Sequence, residues 1–116
     1  MGLKKWAICL MGAFFMTGCR TGSVTMPEKY LLFDVRTLEE YESGHLPGAV
    51  NIPFNTIRER IHVVAPDKAA QIYLYCHSGR RASMAQQTLQ EMGYNHVDNL
   101  GGISSASQKT QLQIIQ

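Results

Sequence analysis

The pattern of hydrophobic and polar positions predicts an alternation of buried strands and amphipathic helices. Residues 31–35 are apolar apart from Asp34, and the apolar run at 72–75 is followed directly by Cys76. Such runs are typical of strands buried on both faces of a parallel sheet. The apolar residues that follow recur at helical spacings of three and four: Ala82, Ala85, Leu89 and Met92. We therefore predict an α/β domain with a mostly parallel sheet and helices on both faces.

Shorter elements account for the rest of the chain. Thr37 and Glu40 fit a capping box at the start of a short helix that Gly44 ends. Asn55 is the predicted cap of a second helix with apolar residues on one face: Ile57, Ile61 and Val64. The pattern also predicts a short strand at 49–53, a last strand at 96–100, a turn at 101–102 and a polar, marginally helical tail at 103–116.

The N-terminal segment has the pattern of an export signal. Lys4 and Lys5 precede an apolar run at 6–16, and small residues lead to Cys19. The run is too short to remain as a membrane-spanning helix. A buried helix is the alternative, but no capping residue opens the run and a polar linker follows at 20–29. With 116 residues and 45% hydrophobic content, we expect one domain over residues 30–116.

The end of this signal, Met16-Thr17-Gly18-Cys19, resembles the lipobox of bacterial lipoproteins. The resemblance implies that Cys19 is lipidated and becomes the new N-terminus. Arg20 after it implies an outer-membrane destination in a Gram-negative cell. Simple cleavage and release into the periplasm is the alternative, so we expect a periplasmic protein whose membrane contact is limited to the lipid on Cys19.

Removal of the signal changes the charge and the cysteine count. The full chain has 11 Lys+Arg against 9 Asp+Glu, and two of the lysines are lost with the signal, so the mature chain is balanced. A balanced chain lacks the basic face that nucleic acids require. Cys9 lies in the signal and Cys19 at its end, which leaves Cys76 as the thiol of the folded body, without a disulfide.

Cys76 lies where a predicted strand, a tight loop and a predicted helix meet. In such a turn, backbone N–H groups and the positive end of the helix dipole face into the loop and favour an anion. Arg80 and Arg81 add positive charge that favours the thiolate, the nucleophilic form of cysteine. A buried structural cysteine is the alternative, but two cations beside one thiol favour a reactive residue. Arg80 is alternatively a solvated surface cation, so Arg81 is the stronger candidate for anion binding.

Other polar residues receive smaller roles. Asp34 ends its strand at the same edge of the sheet as Cys76, where α/β proteins bind ligands. We nevertheless expect Asp34 and Arg36 to brace the sheet. His77 either adjusts the reactivity of the thiol or faces solvent. The four histidines lack ligand spacing, so we expect no metal and no cofactor.

Several motifs in a fixed order resemble the rhodanese domain, a sulfurtransferase fold: Asp34-Val35-Arg36, Glu40-Tyr41, residues 44–49, residues 51–53 and Cys76-x-x-Gly79-x-Arg81. The resemblance covers about residues 30–102. It implies that Cys76 alternates between thiolate and persulfide, and that an anion-binding loop consists of His77, Ser78, Gly79, Arg80 and Arg81. It also implies thiosulfate as the small-molecule sulfur donor and cyanide or a thiol as the acceptor. We expect a monomer.

Two other functions stay open at this point. Cysteine-dependent phosphatases resemble this turn but have their arginine six positions after the cysteine, where this chain has Ala82, whereas Arg81 is five positions after. The shorter loop favours sulfur transfer over a phosphatase or arsenate reductase. A persulfide carrier or redox-sensing module in the cell envelope, acting through Cys76 with little turnover, is the second alternative.

Overall fold

The computed structural model describes residues 26–116, which contain four strands and four helices. In chain order these are β1 Leu31–Asp34, α1 Leu38–Ser43, β2 Val50–Asn51, α2 Ile57–Val64, β3 Ile72–Cys76, α3 Arg80–Glu91, β4 Val97–Gly102 and α4 Ile103–Thr110. The strands form one sheet in the order β2-β1-β3-β4, and each neighbouring pair is parallel. The predicted α/β class is confirmed.

Alternate residues of the strands face two hydrophobic clusters, one on each side of the sheet. The larger cluster packs against α2 and α3 and includes Phe33, Val35, Ile57, Ile61, Ile72, Leu74, Cys76, Ala82, Ala85 and Leu89. The other packs against α4 and includes Leu32, Leu46, Ala49, Tyr75, Leu100 and Ala106. Helices therefore cover both faces, and the side chain of Cys76 points toward α3.

The start of α1 follows from its capping residues. The Thr37 side chain accepts a hydrogen bond from Glu40 N, and the Glu40 carboxylate accepts one from Thr37 N, as predicted for a capping box. The prediction of Asn55 as the cap of α2 is wrong, because the N-cap is Thr56. A turn from Pro53, closed by the Thr56 N–H, delays the helix by one residue.

The prediction of a turn at 101–102 is also wrong, since β4 continues to Gly102. The register shifts by a bulge between Leu74 and Cys76, after which Cys76 pairs with Gly102. The tail forms α4 with Ala106 and Thr110 buried. Beyond it, Ile115 makes an antiparallel bridge with His45.

A buried ion pair lies at the carboxyl end of β1. Arg36 donates to both oxygens of Asp34, and its Nη2 also donates to Gly44 O at 2.5 Å, while both side chains of the pair are almost fully buried. The hydrogen bonding of the Arg36 guanidinium to the Asp34 carboxylate raises the pKa of Arg36 above its ordinary value. The pair joins the sheet to the end of α1, which is consistent with the predicted bracing role.

The predictions for the export signal at 1–19 and for lipidation at Cys19 lie outside the described residues. None of the helices within residues 26–116 has the length and apolar character needed to cross a membrane.

We predict that Arg36→Met destabilises the fold by about 3–5 kcal/mol, because it leaves the Asp34 carboxylate buried without a partner. Urea unfolding followed by circular dichroism measures the loss. Arg58→Met is the matched control, since the Arg58–Glu91 pair is more than half exposed on both sides and should cost about 1 kcal/mol or less. Equal costs for the two substitutions would contradict a structural role of the buried pair.

Candidate active site

Cys76 lies at the carboxyl end of β3, with its sulfur at the N-terminus of α3. The residue is fully buried, and its Sγ accepts a hydrogen bond from Gly79 N at 2.9 Å. Gly79 is the N-cap of α3 and has a φ of 97°, a left-handed conformation that favours glycine. The conformation of Gly79 therefore places a backbone donor on the sulfur.

The loop after Cys76 packs directly on the backbone of β4. A Cβ on Gly102 would collide with the carbonyl oxygen of His77, and one on Gly79 would lie 3.2 Å from Gly101 Cα. Asn99 ties the two backbones together, because its Nδ2 donates to Gly79 O at 2.9 Å and its Oδ1 accepts from Gly101 N at 2.7 Å. The backbone of strand β4 therefore holds the loop in place.

The two arginines of the loop have different surroundings. Arg80 is exposed, and within residues 26–116 no carboxylate lies within 4 Å of it. Arg81 is partly buried and donates to Glu40 of α1 through Nη1 at 2.8 Å and Nη2 at 3.0 Å. Arg81, the stronger candidate for anion binding from the sequence, therefore has a carboxylate partner, whereas Arg80 faces solvent.

The Glu40–Arg81 pair is electrostatically coupled. The hydrogen bond from Arg81 lowers the pKa of Glu40 from its usual 4.5 to about 2, with a further contribution from Thr37. The same hydrogen bond, together with the negative charge of Glu40, raises the pKa of Arg81.

The remaining predicted site residues lie around the mouth of the loop. His77 and Ser78 are exposed, so their side chains face solvent while their backbones shape the loop. Among the described residues, no group of three or more metal-ligating side chains comes together. Two surface cavities of about 480 and 310 Å³ lie near Tyr30 and Leu31, at the amino end of β1, and belong to a different part of the surface.

Sequence reasoning missed three contributors to this site. The sequence marks Glu40 as a capping residue and a motif residue but not as the partner of Arg81, which is 41 positions away. It predicts a strand at Asn99 and a turn at Gly102, without a link between either residue and the loop. A motif spacing gives no signal for such contacts, because they form only when β4 and α1 pack beside the loop.

The arrangement supports nucleophilic chemistry at a sulfur atom. A backbone N–H donates to the thiol, which lies at the N-terminus of a 12-residue helix whose first turn has two arginines and no acidic residue. Together they stabilise negative charge on the sulfur or on a bound anion. Ala82, at the position where phosphatases have their arginine, is fully buried in the core.

Comparison with known proteins identifies the family. The model of the rhodanese-like domain matches residues 24–109. The chain belongs to the rhodanese-like family. The fold of the described residues, a small α/β domain with a parallel four-stranded sheet, is the rhodanese fold.

Named relatives carry out sulfur chemistry. The chain is 46% identical over 70 residues to the thiosulfate sulfurtransferase PspE of Escherichia coli K12, a match that covers 60% of this chain and 67% of PspE. It is 39% identical over 77 residues to the putative sulfur carrier protein YrkF of Bacillus subtilis, covering 66% of this chain but only 40% of YrkF. A solved rhodanese with anions from E. coli superposes with a TM-score of 0.68 at 36% identity, over 76% of this chain and 99% of that one. The relatives thus support a sulfurtransferase.

We predict that Gly102→Ala destabilises this rhodanese domain by about 2 kcal/mol or more, because the new methyl group displaces the His77 carbonyl. Gly48→Ala is the control: nothing lies within 4 Å of its added Cβ, so only the strain of its positive φ, about 1 kcal/mol, should appear. Urea unfolding compares the two. A smaller loss for Gly102→Ala than for Gly48→Ala would show that the loop does not need the close approach.

The Glu40–Arg81 pair generates a pH prediction. Because the folded-state pKa of Glu40 lies below its unfolded value, its stabilising effect is present above pH 4.5 and is lost as the pH falls toward about 2. Wild type should therefore exceed Glu40→Gln in unfolding free energy by about 1 kcal/mol near neutral pH, since the pair is partly exposed. The difference should shrink in unfolding curves measured from pH 5 down to pH 2. A difference that is constant with pH would show that the carboxylate charge does not stabilise the fold.

Proposed function

We propose that this rhodanese transfers sulfane sulfur from thiosulfate to cyanide or to a thiol, through a persulfide on Cys76. The observation that supports the proposal most directly is the hydrogen bond from Gly79 N to Cys76 Sγ at the N-terminus of α3. A nucleophilic thiolate needs such stabilisation of its negative charge. The anionic sulfur compound that reacts with it needs the same hydrogen-bond donors. The similarity to a thiosulfate sulfurtransferase supports the choice of donor.

In the first half-reaction, the Cys76 thiolate attacks the outer sulfur of thiosulfate. A new S–S bond forms, the S–S bond of thiosulfate breaks, and sulfite leaves with the bonding electron pair. The cysteine becomes a persulfide, and no external oxidant or reductant is needed. This is covalent catalysis, in which one difficult transfer is divided into two displacements.

In the second half-reaction, the acceptor attacks the outer sulfur of the persulfide. Cyanide yields thiocyanate, whereas a thiolate yields a new persulfide on the acceptor. In both cases the Cys76 thiolate leaves and is ready for another cycle. The loop that binds the donor also stabilises this leaving thiolate, because its backbone N–H groups remain in place.

The charges of the loop suit a dianionic donor. Thiosulfate and the departing sulfite each carry two negative charges, and Arg80 is an exposed cation on the first residue of α3. We assign the loop from His77 to Arg81 to anion binding, with Arg80 as a charge that faces solvent and Arg81 as a charge held in place by Glu40. No cofactor takes part in these steps.

The proposal extends to the cellular setting. We propose a monomeric, exported enzyme that acts on small molecules in the periplasm, either released there or anchored through a lipid on Cys19. The support is the pattern of basic, apolar and small residues over 1–19. The intact mass of the protein recovered from cells distinguishes a lipidated N-terminus at Cys19 from simple cleavage.

We predict that thiosulfate adds about 32 Da to the purified protein, in the form the expressing cell produces, and that cyanide then removes this mass as thiocyanate. Intact-mass spectrometry follows both steps. Cys76→Ser protein should gain no mass and lose all transfer activity. Because this variant changes Cys76 alone, any other cysteine in the preparation is still present and serves as an internal control for sulfur uptake elsewhere. Equal activity in Cys76→Ser protein would overturn the mechanism.

Sulfur carriage is the second candidate, favoured by the similarity to a putative sulfur carrier protein. It predicts that Cys76 accepts sulfur but that cyanide turnover is negligible. A folded, reduced protein that gains no mass from thiosulfate would contradict the proposed reaction with thiosulfate. Phosphate and arsenate would then be the next anions to test, since the phosphatase and arsenate reductase alternatives use them.

A further inference from the structure

We propose that Glu40 is a positioning residue that holds Arg81 in the orientation required to bind the anionic sulfur donor. The inference rests on the proposed function, because it concerns the recognition of thiosulfate at Cys76. It assigns a role in substrate recognition to a residue of α1, outside the cysteine loop.

Contacts within α1 and its cap hold the Glu40 side chain independently of Arg81. Its Oε1 accepts hydrogen bonds from Thr37 N and Thr37 Oγ1, both at 3.1 Å, and its own N–H donates to Thr37 Oγ1 at 3.2 Å. The two bonds to Oε1 restrict the rotamers of the Glu40 side chain, and the third fixes the Thr37 hydroxyl that makes one of them. The carboxylate is therefore a rigid acceptor at the first turn of α1, and not a mobile surface charge.

Arg81 is oriented by that acceptor. Two parallel hydrogen bonds of 2.8 and 3.0 Å join its Nη1 and Nη2 to the two oxygens of Glu40, and this bidentate geometry defines the plane of the guanidinium. A guanidinium has five N–H donors, so three remain after these two bonds. Arg81 is the second residue of α3, and the N-cap of that helix, Gly79, donates to Cys76 Sγ, so the guanidinium starts from the same helix end as the reacting sulfur.

Orientation matters because a free arginine loses rotamer freedom when it binds an anion. In this structure the pair with Glu40 has already ordered the Arg81 side chain, so the remaining N–H groups bind the thiosulfate anion at a smaller entropic cost. By contrast, Arg80 has no carboxylate partner among residues 26–116 and contributes charge without a fixed direction. Arg81 thus binds the anion with oriented N–H groups, and Arg80 contributes only positive charge.

Charge and positioning predict opposite effects for Glu40→Gln. The substitution removes a negative charge near a site for a dianion, so electrostatics alone would improve the use of thiosulfate. If Glu40 positions Arg81, the use of thiosulfate becomes poorer although the site becomes more positive. The sign of the change therefore separates the two explanations, and simple instability of the fold is checked by unfolding curves.

The experiment measures kcat/KM for thiosulfate and the rate of persulfide formation in wild type, Glu40→Gln and Glu39→Gln. We expect Glu40→Gln to lower kcat/KM about tenfold, mainly through KM, because a misplaced binding group costs rate without altering the nucleophile. Glu39→Gln removes the same charge from the same turn of α1, on an exposed side chain, and should leave kcat/KM within about twofold of wild type.

A double-mutant cycle tests whether Glu40 acts through Arg81. Arg81→Gln should itself reduce thiosulfate use, and adding Glu40→Gln to it should cause no further loss. A tenfold loss that persists in the Arg81→Gln background would overturn the positioning role, as would an unchanged or raised kcat/KM in Glu40→Gln alone. Failure of wild type to form a persulfide would instead overturn the proposed function, and this inference with it.

Discussion

The active site depends on a contact between two stretches of backbone that leaves no room for a side chain. The carbonyl oxygen of His77 occupies the space where a Cβ of Gly102 would be, and a Cβ on Gly79 would lie 3.2 Å from Gly101 Cα, a tight but less severe contact. Because Cys76 also pairs with Gly102 in the sheet, strand register and loop position are fixed together. The sheet, and not the loop alone, therefore places the sulfur at the N-terminus of α3.

Polar contacts have an unusual share in holding α1, a six-residue helix without a fully buried residue. Arg81 donates to Glu40 in the first turn of α1, and Arg36 donates to Gly44 O at the C-terminal end of α1. One arginine therefore holds each end of the helix. The hydroxyl of Tyr41 adds a hydrogen bond to Ala49 O at 2.8 Å. Since hydrophobic burial cannot fix α1 firmly, these directional bonds determine its position beside the cysteine loop.

The sequence was sufficient for features that depend on local patterns. Strands β1 and β3, helix α3 and the capping box at Thr37 follow from runs, spacings and residue types within one turn or one strand. The rhodanese motifs supplied the family and the fold. Contacts between distant segments were not predictable in this way: pairing extended β4 through Gly102, where two glycines alone suggest a turn, and packing brought Glu40 to Arg81.

The buried position of the sulfur has a consequence for the proposed cycle. Cys76 is fully buried, and Gly79 N donates to Sγ at 2.9 Å when no extra sulfur is present. An added sulfur extends the side chain by about 2 Å, the length of an S–S bond. In the proposed cycle the negative charge alternates between Sγ and this outer sulfur, so the two stages need hydrogen-bond donors about 2 Å apart. The N–H of Gly79 serves the thiolate stage, and it keeps its place because strand β4 holds the Gly79 backbone.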